Sequence, residues 1–202
     1  MMDMKIIGCT DMHCNVAAVK RIAKLAQQKK VDCIVCCGDI SIFGDGLDYM
    51  VKKLAHIGKP VFVVPGNHDD EAVLKKLCSY YPNMHFIHKK IQSFMGYHFV
   101  GFEADGFSGQ DKEFRQWIKK KAKKLRTLKN IILVTHAPPY GTKGDTLMGE
   151  HCGNKDIKAF LKTHNNIVAH FYGHFHETAG TIERVNKAKV INSGSKGLFI
   201  EL

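Results

Sequence analysis

The sequence predicts an α/β chain built as a four-layer α-β-β-α sandwich with two mixed sheets, and three observations carry that expectation. Short apolar runs rich in β-branched residues recur five times, and each stops abruptly at a polar residue. Helix-length amphipathic segments separate most of these runs, and strand alternating with helix builds a largely parallel sheet covered by helices. Two stretches, 85–103 and 181–202, break the alternation with closely spaced strand patterns, and such strands need a sheet to join. Residues 1–202 read as one domain, long enough to bury a substantial core.

The five runs, in order, are KIIGCT ending at Asp11, CIVCCG ending at Asp39, PVFVVPG ending at Asn67, NIILVT ending at His136 and IVAHFYG ending at His174. Helices are expected over 15–29, 46–57, 69–80, 111–128 and 154–165. In the fourth, Phe114, Trp117, Ile118, Ala122, Leu125 and Leu128 recur at helical spacing and leave the lysines on the opposite face. Segment 85–103 reads as paired strands turning near Met95-Gly96-Tyr97-His98. The tail 181–202 reads as two or three antiparallel strands turning at Asn186-Lys187 and Ser193-Gly194. Ligands of α/β sheets bind beyond the carboxyl ends of the strands. Five polar residues at five strand ends are therefore expected to meet in one place.

Composition narrows the setting. No apolar stretch approaches the roughly 20 residues a membrane span needs, and the opening MMDMKIIGCTDMH reads as a first strand, not a secretory leader. Five of the seven cysteines crowd the first 40 residues, which is no disulfide framework and points to a reducing, cytoplasmic setting. Cys33 and Cys36 sit three apart on a strand, facing opposite sides, so they read as buried thiols and not as a metal or redox pair. The net charge of +11 lies largely in residues 111–129, as a solvated helix face or a footprint for nucleic acid. Such basicity attracts phosphorylated substrates in general. No heptad or interface stripe sets an oligomeric state.

The polar strand ends carry the chemistry. Asp11-x-His13 turns a carboxylate and an imidazole toward one ion, and Gly38-Asp39 presents both oxygens of a carboxylate on a turn, free to bridge two cations. Gly66-Asn67-His68-Asp69 adds an amide oxygen, an imidazole and a carboxylate; His136 and His174-x-His176 complete the set. All these donors are nitrogen or oxygen, the set for two divalent ions, manganese first, with iron, zinc or nickel as alternatives. His151 lies in a loop between Gly149 and Gly153, and with Tyr140 and Lys143 it is a candidate substrate contact.

The ordered set Asp11-x-His13, Gly38-Asp39, Gly66-Asn67-His68-Asp69, His136 and Gly173-His174-x-His176 resembles the calcineurin-like metallophosphoesterases. THAPPYGTKGD (135–145) followed by His151-x-Gly153 further resembles a small prokaryotic-type branch, and Asn192-Ser193-Gly194 resembles the closing turn. The resemblance implies that Asp11, His13, Asp39 and His176 hold one metal and Asp39, Asn67, His136 and His174 the other, roughly 3.5–4 Å apart as in two-metal sites generally. It implies hydrolysis of a phosphate ester by metal-activated hydroxide. His68 would be the catalytic histidine that assists the leaving group, with Asp69 orienting it and favouring its charged form. Cys14 stands where the family often has glycine, and reads as a tolerated small residue. The turn Asp39-Ile40-Ser41 lacks the acidic-arginine continuation of the protein Ser/Thr phosphatases, and Asp69 stands where those enzymes have glutamate. The expected substrate is thus a phosphorylated small molecule or a nucleotide. A metal-dependent nuclease is the rival that basicity favours; a non-catalytic scaffold is disfavoured by the intact donor set.

Overall fold

The computed structural model describes residues 3–104 and 106–202. In its first half β1 (Lys5–Cys9), β2 (Cys33–Cys36) and β3 (Val61–Val63) alternate with α1 (Val16–Gln28), α2 (Leu47–Ala55) and α3 (Glu71–Cys78), and β4 (Met84–Phe86) follows. These four strands lie parallel and side by side. The chain then crosses to a second sheet with the hairpin β5 (Lys90–Phe94) and β6 (Tyr97–Gly101), then α4 (Lys112–Thr127) and β7 (Ile131–Val134). A two-strand flap, β8 (Thr146–Leu147) and β9 (Glu150–His151), precedes α5 (Lys155–Thr163), β10 (Ile167–Tyr172), β11 (Ile182–Val185) and β12 (Ala188–Asn192). The second sheet runs β11-β12-β10-β7-β6-β5. β13 (Leu198–Glu201) returns to the first sheet, antiparallel to β1.

All five expected helices form, and four have a side-chain cap that the sequence advertises. Asn15, Asp70, Asp111 and Asn154 each accept from a backbone amide of the first turn, which would otherwise lack a partner. The alternation of side chains along each strand then sorts them into three cores. Ile7, Ile34, Cys36, Val61 and Val63 face the layer beneath α1–α3; Ile6, Cys33, Val35, Phe62 and Val64 face the layer between the sheets. There they meet Phe99, Ile132, Val134 and Phe171, with Phe62 and Phe99 stacked at 3.9 Å. Ile131, Leu133 and Val190 face α4 and α5 with Phe114, Leu125 and Phe160. Burial on both faces is why these strands read as continuous apolar runs. Cys33 and Cys36 do point to opposite faces, all seven thiols are free, and burial pushes the Cys33 thiol well up.

Two expectations need correction. The 85–103 stretch is not one paired unit: β4 completes the first sheet beside β3, and only β5–β6 form a hairpin, turning at Met95-Gly96. In the tail the turn at Asn186-Lys187 forms, with Asn186 in the left-handed region (φ +54°), but Ser193-Gly194 does not reverse the chain. It starts a crossover: β12 pairs parallel to β10, while β13 leaves for the other sheet and carries Ile200 into the layer between them. Strand alternation alone cannot say which sheet a strand joins. Among the described residues, no helix is long and apolar enough to cross a membrane.

Two core histidines make stability depend on pH. His170 is fully buried; Thr135 uses its one proton on the Ala137 carbonyl (2.7 Å), so His170 Nε2 donates to Thr135 Oγ1 (2.7 Å) and stays neutral. Burial holds the His170 imidazole down at about 3 and the His88 imidazole at about 4. Unfolded imidazoles titrate near 6.5. Between these values the unfolded chain binds protons that the folded chain refuses. Stability is therefore complete above about pH 6.5 and falls with pH at about 1.4 kcal/mol per unit for each histidine. Urea unfolding between pH 7 and 4.5 should show that slope, and His170→Gln, which keeps a donor for Thr135, should reduce it. An unchanged slope in the variant would remove His170 from the account.

Candidate metal centre

The parallel strands β1, β2 and β3 of one sheet and β7 and β10 of the other end at a common edge, and the polar residues beyond them converge there. The loops that carry them turn sharply. Asp11 (φ +53°), His13 (+41°), Asp39 (+51°) and His174 (+74°) all occupy the left-handed region, at about 1–2 kcal/mol each. Cross-loop bonds hold them there: the amides of Asp11, His13 and Cys14 donate to the carbonyls of Gly38, Asp39 and Ile40 at 2.9–3.0 Å. The His174 amide donates to the Asp11 carboxylate at 3.0 Å, across the two sheets. Gly66 and Gly173 permit this approach, because a Cβ at Gly66 would collide with the Asp39 carboxylate and one at Gly173 with Thr10 and Asp11.

The donors form two groups that share Asp39. In the first, His13 Nδ1 donates to the Ser41 carbonyl (3.2 Å), which leaves the Nε2 lone pair facing His176 Nε2 at 3.2 Å and Asp39 Oδ2 at 3.8 Å. Asp11 Oδ1 stands 3.5 Å from His176 Nε2. In the second, His136 Nδ1 donates to the Cys37 carbonyl (2.8 Å). Its Nε2 lone pair thus faces Asn67 Oδ1 at 2.9 Å, His174 Nδ1 at 3.3 Å and Asp39 Oδ2 at 3.5 Å. Backbone carbonyls thus fix the tautomers of His13 and His136 so that each Nε2 lone pair faces the other donors, the orientation that holding a cation requires. Ligands about 2.0–2.2 Å from an ion stand about 3.0–3.5 Å from one another, close to the 2.9–3.8 Å seen here. The residues present fit divalent metal.

Electrostatics agree with a cation-seeking edge. Burial acts to raise the Asp11 carboxyl, but its hydrogen bond to His176 and the charges of His136 and His176 outweigh that and hold it down. The same hydrogen bond, against a smaller opposing effect of burial, raises His176. Asp39 and His136 are almost wholly buried, whereas Asn67 and His176 lie at the open side.

His68 and Asp69 separate. The His68 amide donates to Asp39 Oδ1 (2.8 Å), and its ring lies between His13 (4.8 Å) and Phe43 (4.1 Å) with Nδ1 buried and without a hydrogen-bond partner. Asp69 makes no bond to it. Its carboxylate accepts from the amides of Ile40, Ser41 and Gly66 and from the Ser41 hydroxyl at 2.8–3.2 Å, tying the Asp39 turn to the Asn67 loop. The expectation that Asp69 orients His68 is corrected: an aspartate next in sequence is drawn to the richer set of amide donors behind the turn. Cys14 donates its thiol to the Asp45 carbonyl (3.0 Å), away from the donors, as a tolerated small residue would.

The loop beyond His136 is ordered by one buried carboxylate. Asp145 accepts from the amides of Gly141, Thr142 and Gly153 and bonds His151 Nδ1 at 2.7 Å. Tyr140 lies 5.7 Å from the His151 ring with Lys155 Nζ over its face (4.9 Å), and the Lys143 amide donates to Glu183. These contacts do not bring Tyr140, Lys143 or His151 into the metal groups; the loop reaches them through Gly144, whose carbonyl accepts from Thr178 beside His176. Asn192 of the expected closing turn binds the Phe175 carbonyl and Thr178 through its amide. Sequence reasoning missed two exposed rings, Phe43 beside His68 and Phe107 beside His174 (4.4 Å). They carry no signal, since apolar residues at loop tips look like ordinary scatter.

Comparison with known proteins sets this geometry among relatives. A protein of Methanocaldococcus jannaschii, described as uncharacterized, is 33% identical, over 98% of this chain and 91% of that protein. A probable glycerophosphodiester phosphodiesterase, GpdQ of Arcobacter nitrofigilis, is 25% identical over 82% of this chain and 63% of its own length. A crystal structure from Thermus thermophilus shares the fold, with a TM-score of 0.78 at 16% identity over 96% of this chain and 91% of that one. Residues 4–178, which span the five strand ends and every donor named above, match the family described as calcineurin-like phosphoesterase. The chain belongs to the calcineurin-like phosphoesterase family.

Proposed function

We propose that this chain is a binuclear metal-dependent phosphoesterase that hydrolyses phosphodiesters or phosphomonoesters of small molecules or nucleotides. The observation that carries the reading is the pair of donor groups sharing Asp39, with His13 and His136 locked by carbonyls to aim Nε2 inward. Asp11, His13, Asp39 and His176 would hold one ion, and Asp39, Asn67, His136 and His174 the other, manganese before iron, zinc or nickel. Bound divalent ions there neutralise phosphate charge and make a water nucleophilic at neutral pH. His68, next to the first group and not part of it, would give the departing alkoxide its proton. Asp69 would keep the loop that carries His68 in place. Tyr140, Lys143 and His151 would line the outer approach for substrate. The likeness to a probable glycerophosphodiester phosphodiesterase supports a diester, and seven free thiols suit a cytoplasmic setting.

The nuclease reading loses ground. Four of the six lysines of α4 (Lys120, Lys121, Lys123 and Lys124) lie past its middle, and the helix ends at Thr127, just before β7 begins at the end of the sheet opposite the donors. At 1.5 Å per residue a helix of 16 residues spans about 24 Å, so the charge lies mainly away from the site. The test is hydrolysis of bis(p-nitrophenyl) phosphate and p-nitrophenyl phosphate by metal-stripped protein before and after adding manganese, iron, zinc or nickel. Turnover should require metal. No rate above background with any of them would defeat the proposal, and DNA cleavage without ester turnover would install the nuclease.

A further inference from the structure

We infer that Phe43 and Phe107 are stacking walls that select a nucleotide as the phosphoester, a reading that rests on the function proposed above. Both rings are almost entirely in water, Phe43 79% exposed and Phe107 74%. Single exposed apolar residues need no explanation, but these two stand at opposite flanks of one site. Phe43 lies 4.1 Å from the His68 ring, tilted 39°, on the side of His13; Phe107 lies 4.4 Å from His174, edge-on at 82°, on the side of His136.

The Phe43 ring is not placed by the turn chemistry of its loop. Phe43-Gly44 forms the tip of a tight turn between Ile42 and Asp45, with φ +50° and +90°. Such turns favour Asn-Gly, and a bulky side chain at their first position is disfavoured. The tip is nevertheless pinned to the site, because the Gly44 amide donates to the His68 carbonyl (2.9 Å) and to Ser41 Oγ (3.2 Å). Next to Phe107, Gly106 packs so closely on the His174 ring that a Cβ there would collide with it. Each phenylalanine is thus presented by backbone fastened to a histidine of the site.

The chemistry that fits is a phosphate carrying a planar base. Because Phe107 touches the donor His174 and Phe43 touches His68, a base one sugar removed from a phosphate at the donors would reach the rings. Phe43, beside the proposed proton donor, would receive the base of the leaving group, and Phe107 the opposite arm. Neither ring offers a hydrogen bond, so selection rests on ring area and tolerates any base.

The test compares binding of adenosine 5′-monophosphate and of glycerol 3-phosphate to manganese-loaded protein by calorimetry, so that turnover is not the readout. The nucleotide should bind about tenfold more tightly, and Phe43→Leu should remove most of that ratio; Phe107→Leu, on the arm that a monoester lacks, should leave it unchanged and instead weaken binding of a dinucleotide phosphodiester. Phe43→Tyr should restore it, and Tyr80→Ala, an exposed ring on another face, should leave it unchanged. Equal affinities, or variants that weaken both ligands alike, would overturn the inference even if diester hydrolysis proceeds. A ring-dependent preference without hydrolysis would sustain it while defeating the proposed activity. Ring-dependent binding of single-stranded oligonucleotide alone would replace the nucleotide with a nucleic acid.

Discussion

Asp39→Asn is expected to cost the chain more metal and more turnover than any other single substitution. Its Oδ2 stands 3.8 Å from His13 Nε2 and 3.5 Å from His136 Nε2, so one carboxylate serves both donor groups. Its Oδ1 accepts from the His68 amide, and asparagine can keep that bond through its own oxygen. What disappears is the negative charge that would lie between the two proposed cations, in a side chain only 3% exposed. Elemental analysis should find at least one ion lost, and kcat/KM should fall by about a thousandfold. His176→Ala, which removes a donor from one group at the open side, should fall less. Full metal content and near-normal turnover in Asp39→Asn would show that the carboxylate is not shared.

Asp69→Ala should be the most damaging change among residues that are not donors. Three amides lose their acceptor at once, and they lie partly out of water behind the Asp39 turn; the Ser41 hydroxyl still has the His68 carbonyl at 2.8 Å. Buried donors left unmade cost about 1–3 kcal/mol each before relaxation, so a loss of about 3 kcal/mol of unfolding free energy is expected. His68→Ala should barely move stability and should slow poor leaving groups more than p-nitrophenolate. If Asp69→Ala copies His68→Ala, with normal melting and a leaving-group effect only, the scaffold role assigned to Asp69 fails.

Much of this was legible in the chain because one physical rule did double work. An apolar strand buried on both faces reads as an unbroken run, and a polar residue at its end stands out even where it is itself buried: Asp11, Asp39, Asn67, His136 and His174 were all readable for that reason. Helices were legible through their helix-length amphipathic patterns, and the structure adds side-chain caps at Asn15, Asp70, Asp111 and Asn154. Sheet membership was not, because β4 and β13 carry the same alternation whichever sheet they join. Asp69 was misread because adjacency to His68 says nothing about where its carboxylate finds donors. Phe43 and Phe107 were invisible because exposure is a property of the folded surface and leaves no periodicity.

Asp11, His13, Asp39 and Asn67 follow strands of one sheet, while His136, His174 and His176 follow strands of the other. Ions seated among them as proposed would act as rivets through a seam: slippage of one slab against its neighbour by a single ångström would tear the coordination apart. The flat stack of Phe62 on Phe99, deep in that seam, thereby becomes a distant guardian of alignment at the rim.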